Sequence, residues 1–230
     1  MNRGRKDIQR ARMWRYFLDA ATELINEEGI DQITIRKIAD RAGFTASTAY
    51  NYFKDLSHLK FFAAMRFTSD YVSELPEYMA LGRNTVEKWL YSWECFCKHS
   101  FTQPDIYSVI FMDNLGTQPQ ELMNEYYAIY KDELTDLPEQ VQSILMEHNF
   151  SKRSALYIQG AVEEGFIKEK DVDMLADMTL MIWKGMMNTY MNHRRAYTKD
   201  EAVKRTVQFV KECVMNAVDA KRRNEIEFDI

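Results

Sequence analysis

Apolar residues recur along most of the chain at the spacing that puts them on one face of a helix. No segment alternates strictly between apolar and polar residues over enough positions to predict a sheet. The pattern therefore predicts an all-α protein. The predicted helices cover about Arg10 to Glu28, Thr34 to Ala42, Ala46 to Phe53, Leu56 to Leu75, Thr85 to Phe101, Asp105 to Met112, Gln120 to Leu134, Pro138 to His148, Ser151 to Glu164, Asp171 to Arg194 and Thr198 to Arg222, with a break marked by Pro76 and Gly82.

The stretch from Thr34 to Phe53 predicts two short helices joined by a tight turn. Thr34 suits the N-cap of the first helix, and Thr45 suits the N-cap of the second. Gly43 stands where a helix ends in the left-handed backbone that glycine adopts without steric cost. Small Ala39 lets the two helices pack closely at a steep crossing. These features predict a helix-turn-helix motif whose second helix is free to enter a DNA major groove.

Further residues accompany this motif at fixed spacing: Leu18-Asp19-Ala20-Ala21-Thr22-Glu23-Leu24, Glu28-Gly29, Thr34, Ile38-Ala39, Ala42-Gly43-Phe44-Thr45, Thr48, Tyr50-Asn51-Tyr52-Phe53 and Leu59. The pattern resembles the N-terminal domain of the TetR family of bacterial repressors, and the remaining chain resembles that family in length and helical character. The resemblance implies a homodimer that binds a palindromic double-stranded DNA operator and releases it when a small molecule binds. We expect a three-helix DNA-binding domain at residues 1–55 and a helical ligand-binding and dimerisation domain at residues 56–230.

Ten residues in and around the motif are candidates for contacts with DNA. The third helix offers hydroxyls and an amide to the groove, and the start of the second helix favours phosphate. In the family, the tyrosine that matches Tyr50 usually packs and contacts the DNA backbone. The candidates are Arg36, Lys37, Thr45, Ala46, Ser47, Thr48, Tyr50, Asn51, Tyr52 and Lys54.

Two positions depart from the family pattern. Ser47 replaces the usual glycine or other small residue two places after the cap, which is a mild change. Leu56 replaces the lysine that usually starts the fourth helix, so a phosphate contact is missing or has moved to Lys54 or Lys60. Leu56 supports an alternative function, in which a TetR-like protein acts through a protein partner with weak or no DNA binding.

Charge is divided unevenly along the chain, whose net charge is −5. Residues 1–66 carry 12 Lys or Arg and 8 Asp or Glu, a net +4, so residues 67–230 carry −9. A basic head suits DNA because neutralising phosphates supplies much of the binding free energy. Basic residues are dense in residues 1–12, which form either a solvated tail or an arm that contacts phosphate or a flanking minor groove.

Large apolar side chains are common in the middle helices. Most are expected in the core, yet methionine and tyrosine also suit an adaptable pocket between helices. Largely from the family resemblance, we expect a pocket for a mainly apolar effector. The candidate lining residues are Trp89, Trp93, Phe96, Tyr107, Phe111, Tyr126, Tyr157 and Met181.

The last two predicted helices carry apolar stripes with steps of three and four residues. Two copies of such a helix pair make a four-helix dimer interface. The alternative is that the stripes face the core of one monomer. The candidate interface residues are Leu175, Met178, Ile182, Gly185, Val207, Val210 and Val214.

Several classes of protein and site are disfavoured. Cys95, Cys97 and His99 supply too few converging ligands for a metal site, and three cysteines make no disulfide framework. No phosphate loop or nucleophile–base signature is present, so we expect neither catalysis nor a cofactor. No apolar run is long enough for a membrane span, and no signal core follows the basic start. We therefore expect a cytoplasmic protein without a membrane partner.

Overall fold

The computed structural model is all-helical in the residues that it describes, which confirms the predicted fold class. It describes residues 2–113, 119–130, 137, 141–142, 145–147 and 149–229, without the side chains of residues 2–7, 119 and 150. The helices are α1 (Asn2–Glu28), α2 (Ile35–Ala42), α3 (Ala46–Tyr50), α4 (Leu56–Met65), α5 (Ser69–Ala80), α6 (Thr85–Thr102), α7 (Pro104–Phe111), α8 (Pro119–Ile129), α9 (Phe150–Ile158), α10 (Gly160–Glu163), α11 (Val172–Met191) and α12 (Lys199–Ala217). The helix predicted from Pro138 to His148 falls mostly outside the described residues.

The chain folds as two compact units, and both are discontinuous in sequence. The first combines Met1–Ser69 with Asp105–Lys131, and the second combines Asp70–Pro104 with Asp132–Ile230. The predicted functional boundary between residues 55 and 56 stays a prediction. Within the described ranges, no helix is both long and apolar enough to cross a membrane.

The first unit is built around a cluster of aromatic side chains on α1, α4 and the segment after α3. The Trp14 ring centroid lies 4.4 Å from that of Phe62 and 5.1 Å from that of Phe53. All three side chains are buried, and Phe17 joins them. Helix α1 begins at Asn2 rather than at the predicted Arg10. Lysine and arginine are good helix formers, so the basic N-terminal segment extends the helix.

Helix α8 is held in the first unit by contacts with α1 and with the residue that follows α4. The Arg10 guanidinium lies 3.7 Å from the Glu125 carboxylate. The Arg66 guanidinium pairs with Asp19 and lies over the Tyr130 ring, 5.8 Å from its centroid. Helix α8 also packs against α4. The first unit therefore contains more than the predicted three-helix motif.

In the second unit, α6 packs against α9 and α12, and α11 packs against α9 and α12. The indole N–H of buried Trp183 donates a hydrogen bond to Ser100 over 3.0 Å. Thr198 and Glu201 form a capping box at the start of α12. The side chain of each residue accepts a hydrogen bond from the backbone N–H of the other. The second unit thus has a core of its own.

The tail after α12 is fastened to α6 through a buried carboxylate. Glu87 is 1% exposed and accepts hydrogen bonds from the Arg83 guanidinium over 3.1 Å and from the backbone N–H groups of Arg83 and Glu227, each over 2.8 Å. Burial raises the pKa of Glu87, but these hydrogen bonds outweigh it and hold the pKa below its ordinary value. The buried Phe228 ring packs on Tyr91, with ring centroids 4.7 Å apart.

The predicted break at Pro76 was wrong, because Pro76 lies inside α5. The predicted break at Gly82 is present, because α5 ends at Ala80 and α6 begins at Thr85. A further interruption falls at a 3₁₀ turn, Arg66–Thr68, where the Thr68 hydroxyl donates to the Met65 carbonyl over 2.7 Å. A proline removes one helical hydrogen bond, and burial of the adjoining Leu75 offsets that loss. The predicted helix from Leu56 to Leu75 is consequently divided between α4 and α5.

The predicted helix from Ser151 to Glu164 also differs from the observed structure. Asn149, rather than Ser151, caps α9 and accepts from the Lys152 N–H over 3.1 Å. At the start of α10, Gly160 lies against Thr85, whose hydroxyl would be 2.9 Å from an added Cβ. The predicted continuous helix is thus divided between α9 and α10.

Candidate nucleic-acid interface

The turn between α2 and α3 is fixed by hydrogen bonds at both helix ends. The Thr34 hydroxyl accepts from the Lys37 N–H, and the Thr45 hydroxyl accepts from the Thr48 N–H. Gly43 has φ 78° and ψ 26°, and its N–H donates to Asp40. The Phe44 N–H donates to the Ala39 carbonyl over 2.8 Å, which completes a Schellman ending. The three predicted capping roles are therefore present.

Packing beneath the motif leaves one side of α3 on the surface. Ala39 on α2 and Ala49 on α3 are fully buried, as the predicted close helix crossing requires. Phe53 after α3 is buried against Trp14 and Phe17. Helix α3 thus packs on an aromatic cluster and leaves its outer face exposed.

The outer face of α3 and the segment after it is polar and accessible. Tyr50 is 57% exposed, and Thr45, Ser47, Asn51 and Lys54 are also exposed. Half-buried members of the predicted set are Ala46, Thr48 and Tyr52, and the Tyr52 ring centroid lies 6.2 Å from that of Phe17. The Thr45 hydroxyl lies 2.8 Å from Ser47 and 3.0 Å from Thr48. This surface offers the neutral donors and acceptors that read base edges and phosphates.

The cations of α2 differ in how strongly they are engaged within the protein. The Arg36 side chain is 88% exposed, with Asp40 4.0 Å away. The Lys37 ammonium lies 2.5 Å from the Glu28 carboxylate and also donates to the Gln32 carbonyl. Arg36 is therefore better placed than Lys37 to contact a phosphate, a distinction that the sequence does not reveal.

Two further cations bear on the departure at Leu56, which is half-buried at the start of α4. Lys54 is exposed and stands two residues before Leu56, whereas Lys60 is half-buried. Lys54 is the better substitute for the missing lysine. The side chains of Arg3, Arg5 and Lys6 in the predicted arm lie outside the described residues.

Four of the predicted pocket residues come together in the second unit. Trp89, Trp93, Phe96 and Tyr157 line a cavity of about 20 Å³. Tyr71, Ser92, Arg153 and Ser154 complete the lining. A volume of this size holds about one water molecule, so an organic effector needs the walls to move. The cavity is a polar-edged aromatic space rather than a preformed ligand pocket.

Two polar side chains at this cavity carry distinct chemistry. Arg153 is 6% exposed and donates to the backbone carbonyls of Leu145 and Glu147, each over 2.9 Å. The Tyr157 hydroxyl contacts the Met79 sulfur, and burial raises the pKa of Tyr157. Arg153 is not predictable as a cavity residue, because an arginine on a polar helix face gives no sign of burial in the sequence.

The other four predicted pocket residues are placed elsewhere. Tyr107, Phe111 and Tyr126 belong to the first unit, where Tyr107 and Tyr126 are buried. Met181 is 65% exposed on α11 and does not line the cavity. Sequence pattern identifies these residues as large and apolar, but not the unit in which each one packs.

The predicted interface stripes divide between the inside and the outside of the second unit. Leu175, Val207, Val210 and Val214 are buried in its own core, as the alternative interpretation of the stripes describes. Ile182 is half-buried, and Gly185 and Met178 are exposed. The outward apolar surface of α11 and α12 consists of Met174, Met178, Met181 and Phe209. A cleft of about 560 Å³ adjoins this surface, with Met174, Met178 and Cys213 in its lining. The predicted interface set is therefore only partly exposed.

Comparison with known proteins bears on the first unit most directly. Residues 17–59 match the family described as bacterial regulatory proteins, tetR family. No curated protein matches the chain.

Solved structures match over most of the chain. The chain is similar to RolR in complex with resorcinol, with 16% sequence identity, a TM-score of 0.63 and coverage of 94% of this chain and 93% of that chain. Thermus thermophilus FadR, a TetR-family transcriptional repressor in complex with lauroyl-CoA, gives 13% identity, a TM-score of 0.60 and coverage of 87% and 94%. A protein from Syntrophomonas wolfei described as a TetR-family transcriptional regulator gives 17% identity, a TM-score of 0.55 and coverage of 90% and 96%. These likenesses show the fold.

Proposed function

We propose, for a chain whose N-terminal domain is that of the TetR family of bacterial regulatory proteins, that it binds DNA as a ligand-responsive transcriptional repressor. Its DNA is a palindromic operator, which a cytoplasmic homodimer reads with two copies of α3. A mainly apolar small molecule releases the complex. The observation that carries the proposal is the exposed polar face of α3. The N-caps of α2 and α3, Thr34 and Thr45, fix the two helices that present this face.

The balance of charges supports DNA as the partner. The net charge of +4 in residues 1–66 stands against −9 in the rest of the chain. Arg36, which precedes α3 in the sequence, and Lys54, which follows it, carry exposed cations. Phosphate contacts of this kind orient a protein on the duplex, while neutral side chains discriminate between bases.

A dimer supports the reading of two half-sites. Two copies of α3 that enter successive major grooves are separated by about 34–36 Å. The exposed methionines of α11 and Phe209 of α12 offer an apolar surface for pairing two copies. This pairing uses the outward residues of the two helices, including Met178 and Gly185 from the predicted set.

The aromatic cavity supports an effector whose main part is apolar. Two relatives of the same fold were solved with resorcinol and with lauroyl-CoA. We therefore infer phenolic compounds and acyl chains as the first classes to test. An effector shifts the equilibrium only by its preference for one DNA-binding geometry over the other, and a thirtyfold preference corresponds to about 2 kcal/mol.

Operator binding by the full chain tests the function. Genomic fragments are screened by gel shift, and the affinity of any selected fragment is measured by fluorescence anisotropy. Tyr50→Ala and Asn51→Ala should each weaken specific binding by about 1–3 kcal/mol, the usual size of a lost base contact. Asn192→Ala is the matched control, since Asn192 is an exposed asparagine at the end of α11 in the second unit. Equal affinities in all four proteins contradict the assignment of α3 as the reader.

Salt dependence separates the two cations of α2. Arg36→Ala should reduce the magnitude of the negative slope of log affinity against log salt by about 0.9, because one phosphate contact is lost. Lys37→Ala should change the slope less, because its ammonium is already paired with Glu28. A larger change in Lys37→Ala than in Arg36→Ala contradicts this assignment. Failure of every genomic fragment to bind favours the alternative of a protein partner, for which Leu56 is the supporting residue.

A further inference from the structure

Three side chains of different chemistry converge between α5 and α6. Glu74 lies on α5, and Cys95 and His99 lie one turn apart on α6. One carboxylate oxygen, the thiol sulfur and one imidazole nitrogen all lie within 4.8 Å of one another. Cys97 does not belong to this group. The sequence does not predict Glu74 as a member, because nothing in its spacing connects it to the two residues on α6.

The cluster is close to the geometry of a metal site. Bond lengths of about 2.0 Å to nitrogen or oxygen and about 2.3 Å to sulfur place the ligands of tetrahedral zinc about 3.3–3.6 Å apart. The His99 Nε2 atom already lies 3.2 Å from the Glu74 carboxylate. The most distant pair of ligand atoms, at most 4.8 Å apart, must approach by about 1 Å to reach the spacing of zinc ligands. Small side-chain rotations supply a movement of this size.

The present partners of the cluster can give way to an ion. The Cys95 thiol is buried and donates to the Tyr71 carbonyl over 4.0 Å, a weak contact. The Lys98 ammonium lies 3.1 Å from Glu74, but the Lys98 side chain is 51% exposed and has an open path to water. A divalent cation therefore replaces one exposed ion pair and gains a buried sulfur ligand.

We propose that Glu74, Cys95 and His99 form a site for a divalent transition-metal ion of the zinc type. Carboxylate, thiolate and imidazole are the ligands that zinc takes in proteins, and three of them leave a fourth position for water. The bound ion links α5 to α6. Binding converts the thiol to a thiolate and releases its proton to solvent.

Cobalt titration of the full chain tests the site. The protein is stripped with a chelator, and Co²⁺ is added in the absence of DNA. One equivalent of Co²⁺ should give a thiolate-to-cobalt charge-transfer band, the visible absorption of tetrahedral cobalt and one released proton per chain. Zn²⁺ should then remove the absorption by replacing Co²⁺. A titration without a thiolate band, including binding at surface carboxylates alone, overturns the proposal.

Variants identify the ligands. Cys95→Ser should abolish the charge-transfer band, and the matched Cys97→Ser, which changes another buried cysteine of α6, should retain it. Glu74→Gln and His99→Gln should weaken Co²⁺ binding at least tenfold, since even residues beyond the ligands change metal affinity by about 10–100-fold. Circular dichroism checks that each variant folds. If Cys95→Ser does not fold, two other results decide the question: the charge-transfer band of the unmodified chain and the weaker Co²⁺ binding of Glu74→Gln. A band that persists in folded Cys95→Ser contradicts the assignment.

Discussion

Replacing Gly43 with alanine isolates the backbone geometry of the turn that presents α3. Gly43 has φ +78°, and a Cβ added there meets no atom within 4 Å. A steric clash therefore does not contribute, and the effect of the substitution comes from backbone strain. An L-residue in the left-handed region costs about 1–2 kcal/mol.

The same substitution also restricts the unfolded chain, which favours the folded state by about 0.4–1 kcal/mol. The expected net loss is therefore about 1 kcal/mol in the free energy of unfolding. Asparagine tolerates the left-handed region better than alanine, so Gly43→Asn should lose less. The predicted order of stability is glycine, asparagine, alanine.

Urea unfolding followed by circular dichroism measures the three free energies, with the midpoint compared at constant slope. DNA affinity gives a second observable, because the hydrogen bond from Phe44 to Ala39 positions the start of α3. Gly43→Ala should weaken operator binding, and Gly43→Asn should weaken it less. An alanine variant as stable as the unmodified chain, or an asparagine variant less stable than the alanine one, refutes the reasoning.

Two further predictions concern the second unit. Glu87→Gln should lower the free energy of unfolding at neutral pH by about 1–3 kcal/mol, because the hydrogen bonds from Arg83 and Glu227 lose their charged acceptor. Because the pKa of Glu87 is lowered in the folded protein, its carboxylate stabilises the fold above pH 4.5, and this contribution is lost as the pH falls through the folded pKa. Glu87→Gln should therefore lose less stability in acid than the unmodified chain. An unchanged slope of unfolding free energy against pH below pH 4.5 contradicts this prediction. Met178→Lys, on the outward face of α11, should dissociate the proposed dimer in sedimentation experiments, whereas Thr102→Lys adds the same charge at an exposed position on α6 and should not. Equal behaviour of the two variants argues against this face.

The helix-turn-helix was predictable because its determinants are local. Thr34, Gly43 and Thr45 each act within four residues of themselves, through caps and one backbone conformation. The helical spacing of the apolar residues in α2 then determines which side of that helix is buried. Tyr50 is an exception, because the family resemblance implies a packed tyrosine and this side chain is 57% exposed.

The orientation of α11 was less predictable because the helix is apolar on more than one side. Leu175 and Met178 belong to one sequence stripe, yet Leu175 is buried and Met178 is exposed. Periodicity finds an apolar stripe, but the partner that covers it depends on distant parts of the chain. The same reason explains Glu74, which meets Cys95 only through the packing of α5 on α6.

The sequence also does not predict which of two adjacent cations forms an ion pair within the protein. Arg36 and Lys37 are adjacent and equally basic, but Lys37 reaches the carboxylate of Glu28 at the end of α1. The contact depends on how α1 and α2 pack. Likewise, Pro76 is a strong local signal for a helix end, and the burial of its neighbour Leu75 overrides it.

The discontinuity of the first unit has a consequence for synthesis on the ribosome. Arg10 and Arg66 are made early, but their contacts Glu125 and Tyr130 are made after all of α5, α6 and α7. At about 5–20 residues per second, the 62 residues between positions 69 and 131 take about 3–12 s to translate. Throughout that interval the nascent motif has its turn and aromatic base, while the face of α4 that receives α8 is bare. A fragment cut after Ser69 keeps this face uncovered permanently, so a first unit produced on its own needs residues 105–131 supplied in trans or by a permuted gene.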